Sequence, residues 1–254
     1  MTTGRGRTLH RGPEGKGRTA SGGCGATGGP LRRFDHRCML SAVDVANSRL
    51  TLASVVVVVP ELRFGAVLSE LARKLWPAHP APLITEIPDQ ALTVIYPDRQ
   101  LQCQFGNNRV EITDSRGVAP GTDDPFALVA TNAFKAVYAS SGDKIVAHGF
   151  NFELHVPIAG QTPPDFMQAR YFHSPQQHIA DAFGAQLAAL GFIATMERSN
   201  CRIQLLVEPS KIEGSLRVYA NFHYDEAAPP QDEGEFRTAF ENEYDAFKEA
   251  LHRL

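Results

Sequence analysis

Beyond Met39 the chain runs twice through one order of patterns: a long strand, a helical stripe, a meander of short strands, and a second helical stripe. That order leaves few folds open. Meander strands pair as antiparallel neighbours, and each helical stripe must bury itself against the sheet they form. In the first pass, 49–59 (RLTLASVVVVV) is β-branched and predicts a strand. Pro60-Glu61 then opens a helix whose stripe is Phe64, Val67, Leu68, Leu71 and Leu75, ended by Pro77 and Pro80. Strands are expected at 83–87, 91–96, 100–105 and 109–113, with Pro97-Asp98 and Gly106-Asn107-Asn108 as turns. Asp124-Pro125 starts the second helix, bearing Phe126, Ala130, Phe134 and Val137, and Gly142 closes it.

The second pass opens on 144–156 (KIVAHGFNFELHV), which alternates strongly and predicts a long strand. Ser174-Pro175-Gln176-Gln177 reads as a helix start, carrying Ile179, Phe183, Leu187 and Leu190 and stopping at Gly191. Strands follow at about 192–197, 201–207 and 215–224. Asp232 with Glu235 caps a last helix with the stripe Phe236, Phe240, Tyr244, Phe247 and Leu251; the acidic run Glu235, Glu241, Glu243, Asp245 and Glu249 is expected on its solvent face. The predicted fold class is therefore α+β: internally duplicated β-α-β(3-4)-α units, about 48–141 and 143–253, forming a curved antiparallel sheet with helices on one face. Residues 39–254 are read as one domain, and the duplication rests on element order alone.

The element order resembles the duplicated clamp of the TATA-binding fold and related grip-like folds. The stretches 55–64 (VVVVVPELRF), 97–107 (PDRQLQCQFGN) and 145–156 (IVAHGFNFELHV) are similar to a sporadically distributed, uncharacterised bacterial family of about this length. The resemblance implies a fold and carries no activity.

Charge divides the chain. Residues 1–39 hold eight basic residues against Glu14 and Asp35, a net +6, while the remainder holds 17 basic and 26 acidic residues, a net −9. Ten of the 21 glycines fall in 1–38, so this segment is expected to be a disordered Gly/Arg-rich tail, either a basic arm or an extension ahead of a start at Met39. The acidic body disfavours a duplex nucleic-acid surface. The longest aliphatic run, 55–59, is far short of a membrane span, which needs about 20 residues. Four cysteines with no Cys-x-x-Cys pair, and no apolar stretch after the basic start, point to a reducing cytoplasm.

Motifs for nucleotide, zinc or serine-hydrolase chemistry are not found. Cys103 and Cys201 alternate with apolar neighbours and read as buried hydrophobes; His173 and His178 lie five apart on different helix faces, and His79 and His252 read as surface residues. No metal and no cofactor is expected. His148, on the apolar face of its strand, is a candidate pocket residue. The opposite faces of the two alternating strands carry Asn151, Glu153 and His155, and Arg217, Tyr219, Asn221 and His223, which are expected to form a partner-binding surface. A protein partner or self-association fits this surface best. A small-molecule or enzymatic pocket between sheet and helices comes second, favoured by any cavity at His148. A nucleic-acid clamp comes third, favoured by any basic stripe of Arg99, Arg109, Arg116, Arg202 and Arg217.

Overall fold

Alternation of apolar and polar residues sets the architecture. A computed structural model describes residues 43–79, 81–118, 125–141, 145–172 and 180–254. The tail expected at 1–38, the Asp124 cap, the Gly142 stop, the start at 174–177, His173 and His178 lie outside these residues.

Nine strands form one curved, unclosed antiparallel sheet in the order β2-β3-β4-β5-β1-β6-β9-β8-β7. In chain order they are β1 (Arg49–Val58), β2 (Leu83–Ile87), β3 (Ala91–Tyr96), β4 (Leu101–Gly106), β5 (Arg109–Asp114), β6 (Ala147–Pro157), β7 (Phe192–Arg198), β8 (Cys201–Pro209) and β9 (Ser215–Asp225). The strands that open the two passes, β1 and β6, meet at the centre with Val55 opposite Phe150 and Ser54 opposite Asn151. Outward from that seam the order is β5, β4, β3, β2 on one side and β9, β8, β7 on the other. The first half contributes five strands and the second four, and the internal duplication expected from the element order is not established by this arrangement.

The described helices are α1 (Ala66–Ala72), α2 (Pro125–Ser141), α3 (Pro163–Tyr171) and α4 (Glu233–Leu251). All four pack on the sheet face that carries Val55, Val57, Phe150, Phe152, Val218 and Phe222. At the centre of that core Phe240 of α4 is fully buried, with ring centroids 4.8 Å from Phe152, 5.2 Å from Phe126 and 5.5 Å from Phe150. Cys103 and Cys201 are buried free thiols, as their alternation predicts. No helix among the described residues is long and apolar enough to cross a membrane.

Several local expectations give way to competing hydrogen bonds. The helix expected from Pro60 begins only at Ala66, because the backbone before it pairs elsewhere: Val59 N–H donates to Asn108 O (3.0 Å) and Leu62 N–H to Asn107 O (2.6 Å). Val67 is accordingly 57% exposed rather than part of a buried stripe. The helix expected to run to Gly191 has Asp181 as its last helical residue and turns off at Gly184, which takes φ +62. Ala185 N–H donates to Ala180 O and Gly184 N–H to Asp181 O, the paired bonds that stop a helix at a left-handed residue. Phe183 is left 83% exposed and 185–191 continue without helix. Gly191 serves a different purpose, since a Cβ there would lie 2.9 Å from the Val207 carbonyl oxygen. Helix α3 was not foreseen, although Thr162 caps it by accepting from Asp165 N–H, with proline at its first turn.

Candidate functional site

The face of the sheet opposite the helices is polar at its centre, and no described helix covers it. Register places Asn151, Glu153 and His155 of β6 beside Asn221, Tyr219 and Arg217 of β9, with Ser54 of β1 and Gln204 of β8 flanking them. The seven residues expected at a partner-binding surface thus come together on one face. Their exposure differs. Asn151 is only 4% exposed, whereas Tyr219, Asn221, His223, Arg217, Glu153 and His155 are half-buried.

Asn151 is the hub of this surface. Its Oδ1 accepts from the Tyr219 hydroxyl (2.9 Å) and from Asn221 Nδ2 (2.5 Å), and its Nδ2 donates to Ser54 Oγ (2.9 Å). Burial pushes the Tyr219 hydroxyl pKa up, so it stays protonated as a donor. Beside this hub Glu153 accepts from Arg217 Nε at 2.8 Å and from Thr51 Oγ1 at 3.1 Å, Thr51 being the extra residue where the β1–β6 register shifts. Burial pushes the Glu153 carboxyl up, but the bonds from Arg217 and Thr51 outweigh it and hold its pKa below the usual glutamate value. Arg217 also donates to Glu208 (2.8 Å), His155 Nδ1 lies 2.6 Å from Ser210 Oγ, and His223 Nε2 donates to Asp225 (2.8 Å).

A depression of about 330 Å³ opens in this face, with Val56 and Val58 among its lining and Arg109, Gln204, Tyr219, Asn221 and His223 around it. Gly149 lies within it, where β6 and β9 approach so closely that a Cβ would sit 2.8 Å from the Phe222 carbonyl oxygen.

His148 projects to the helix side and is 5% exposed. Its ring stacks on Tyr224 at 4.8 Å and 6°, and its Nδ1–H donates to the Ala227 carbonyl at 3.2 Å. Burial lowers its pKa, against the opposing effect of that hydrogen bond, so the ring is neutral and Nε2 is an acceptor. His148 borders an open groove of about 550 Å³ between the sheet, the loop after β9 and α4.

Glu243 beside this groove corrects an expectation. It was assigned to the solvent face of α4 but is 7% exposed. Its Oε1 accepts from Arg198 (2.5 Å) and from the Tyr224 hydroxyl, while its Oε2 has no hydrogen-bond partner among the described residues. The signal was available: Glu243 is seven residues after Phe236 and three after Phe240, a spacing that returns to the buried side of a helix. Burial, then the Glu243 carboxylate, raise the Tyr224 hydroxyl pKa; burial likewise raises that of the Cys201 thiol beside it.

His79 is also not at the surface as expected. Its side chain is 12% exposed, in ring contact with Trp76 and Tyr96 at 4.9 Å each, and its Nε2 donates to Asp98.

The five arginines that would have made a basic stripe are each tied to a carboxylate: Arg99 to Asp98 (3.7 Å), Arg109 to Glu111 (2.9 Å), Arg116 to Asp114, Arg202 to Asp225 (3.6 Å), and Arg217 to Glu153 and Glu208. Among the described residues no cluster of three or more His, Cys, Asp or Glu is arranged to hold a metal ion. No family model matches the chain, and no curated protein matches it.

Proposed function

We propose that this is a non-catalytic binding or adaptor protein that seats a protein partner on the helix-free face of its sheet. The observation that carries the reading is the hub at Asn151, which fixes Tyr219 and Asn221 on rigid strands before any partner arrives. Side chains held in place lose little freedom on association, so their contacts count for more. The neighbouring depression suits one inserted side chain, with Val56 and Val58 to meet its apolar part and amides and Tyr219 to meet a polar rim. Charges of both signs, already paired, favour a protein over a polyanion. A nucleic-acid clamp would need cations free to replace counterions at phosphates, and the arginines on this face are engaged with carboxylates.

The test is parallel capture from native lysate with the parent, with Tyr219→Ala combined with Asn221→Ala, and with Glu249→Ala on the exposed side of α4 as control. A protein retained by the parent and the control but weakened about 30-fold or more on the double variant, about 2 kcal/mol, supports the reading. Equal retention by all three ends it. Concentration-dependent dimerisation abolished by the same double variant would replace the partner with a second copy of the chain.

A second reading, a small-molecule-binding domain or enzyme with its pocket between sheet and helices, is favoured by the open groove beside His148.

A further inference from the structure

We propose that β7, the outer strand of the sheet's second half, is a self-association edge: two copies of the chain pair β7 against β7, antiparallel about a two-fold axis at Ala194, and join their sheets into one. The inference goes beyond the reading of the helix-free face and does not depend on it.

The two ends of the sheet are unlike. An edge strand leaves a row of backbone N–H and C=O groups unpaired, and proteins blunt such rows with short strands, prolines and charges. Strand β2 is blunted in all three ways: it has five residues, Pro82 and Pro88 bracket it, and Glu86 stands within it. Strand β7 has seven residues, no proline and no lysine, and its two charges, Glu197 and Arg198, fall together at the hairpin end. Ile193 is 70% exposed and Met196 42%, and among the described residues no strand pairs with the outer side of β7.

Register decides what fits there. Arg198 pairs with Cys201 across the two-residue turn at Ser199 and Asn200, and such a closing pair exchanges both backbone bonds. The bond from Ser210 N–H to Ser215 O (2.9 Å) sets the same alternation from the β8–β9 side. Met196, Ala194 and Phe192 therefore bond to β8, and the N–H and C=O groups of Ile193, Thr195 and Glu197 point outward. A second β7 centred on Ala194 sets Ile193 opposite Thr195 as hydrogen-bonded pairs, and Phe192 opposite Met196 as the closer, non-hydrogen-bonded pairs. The latter contact brings a thioether to an aromatic ring. Glu197 then lies opposite Gly191, which has no side chain, so no like charges meet. Centring on Thr195 instead would set Phe192 against Arg198 and Ile193 against Glu197. Complementarity of the strand to itself in the Ala194 register is what favours a second copy as the occupant.

The experiment is analytical ultracentrifugation of the full chain over a concentration series, with Ile193→Lys, with Thr195→Pro, and with Tyr219→Ala combined with Asn221→Ala. The parent is expected to dimerise with Kd on the order of 10 µM, as a small interface allows. Both β7 variants should raise that Kd at least about tenfold. The lysine puts a charge on the edge, and the proline removes an outward N–H without touching the bonds to β8. The double variant on the helix-free face should dimerise like the parent. Thiol oxidation then checks the register, in a background of Cys24→Ser and Cys38→Ser. Ala194→Cys should cross-link into a disulfide dimer, because Cα atoms paired at the axis lie about 4.5 Å apart. Met196→Cys should not, since four residues along the strands, roughly 13 Å, separate it from its counterpart. A parent that stays monomeric to about 100 µM, a dimer indifferent to both β7 variants, or a dimer lost in the helix-free-face variant would overturn the proposal. Cross-linking through Met196→Cys in place of Ala194→Cys would overturn the axis at Ala194.

Discussion

Asn151 donates from Nδ2 to Ser54 Oγ at 2.9 Å across the seam where β6 meets β1, and so ties the two halves of the sheet together through a polar bond at their midpoint. Ser54 is 1% exposed and Asn151 4%, so neither group has water to fall back on. Replacing Asn151 with alanine strips partners from Ser54, Tyr219 and Asn221 at once. Tyr219 and Asn221, half-buried on the helix-free face, can rehydrate; Ser54 cannot. The expected loss is about 1–3 kcal/mol of unfolding free energy in urea titrations, the usual cost of an orphaned buried partner. Ser54→Ala should cost less, and the double variant should lose less than the sum of the two. Strict additivity would mean that the bond contributes nothing to the seam.

Phe240 and Phe183 make a paired test of the core. Phe240 is fully buried among Phe126, Phe150, Phe152 and Phe236, whereas Phe183 is 83% exposed beyond the Gly184 stop. Phe240→Ala should cost about 3–5 kcal/mol. Phe183→Ala should fall within about 0.5 kcal/mol of the parent. A large loss at Phe183 would restore the longer helix that the hydrophobic stripe predicts.

The contrast between these two phenylalanines shows which parts of the fold were legible in the sequence. Strands were, because alternation in β6 and β9 permits one burial solution: Phe150, Phe152, Val218 and Phe222 inward, and Asn151, Tyr219 and Asn221 together on the other face. Helix limits were not, because they depend on bonds that periodicity does not encode. Leu62 N–H goes to a distant turn at Asn107, and Gly184 stops a helix within an apolar stripe. For the site, the residue types on the helix-free face were readable, but their arrangement around Asn151 required the register. The burial of Glu243 is legible in its spacing from Phe236 and Phe240, though its acidic neighbours on α4 mask it, and only the fold brings Arg198 and Tyr224 to it.

His148 should make stability fall on mild acidification. Its folded-state pKa is depressed by burial, while the unfolded chain keeps the ordinary histidine value of about 6.5. As pH drops below that value the unfolded state takes up a proton that the native state refuses, so unfolding becomes easier until the folded pKa is also passed. His223, which pairs across from the neighbouring Gly149 and projects to the other face, opposes the charge further. His148→Gln, which cannot titrate, should flatten the slope of unfolding free energy between pH 7 and 5 relative to the parent, with the difference shrinking above pH 7. Parallel slopes in the two proteins would mean that the ring accepts its proton without cost.

Gly149 should be the position on the helix-free face least tolerant of a methyl group. Its backbone has ordinary strand geometry, so the constraint is space and not dihedral strain: an added Cβ would meet the Phe222 carbonyl oxygen at 2.8 Å. That oxygen belongs to the β6–β9 ladder, where Gly149 pairs with His223 and Phe150 with Phe222, and it cannot swing aside as a flexible side chain would. Gly149→Ala must therefore push β6 and β9 apart locally, at about 1–3 kcal/mol, the usual cost of overpacking a well-fitted site. Gly106 provides the control, because a Cβ there meets its nearest neighbour, the Arg109 carbonyl oxygen, at an ordinary 3.5 Å. Gly106→Ala should leave the urea midpoint nearly unchanged, whereas Gly149→Ala should lower it clearly. The methyl group would also enter the depression lined by Val56, Val58 and Asn221, so the same substitution should weaken partner capture beyond what its stability loss explains. Equal urea midpoints for the two alanine variants would mean that β6 and β9 have slack at this point, and the depression would then lack the rigid floor that partner binding requires.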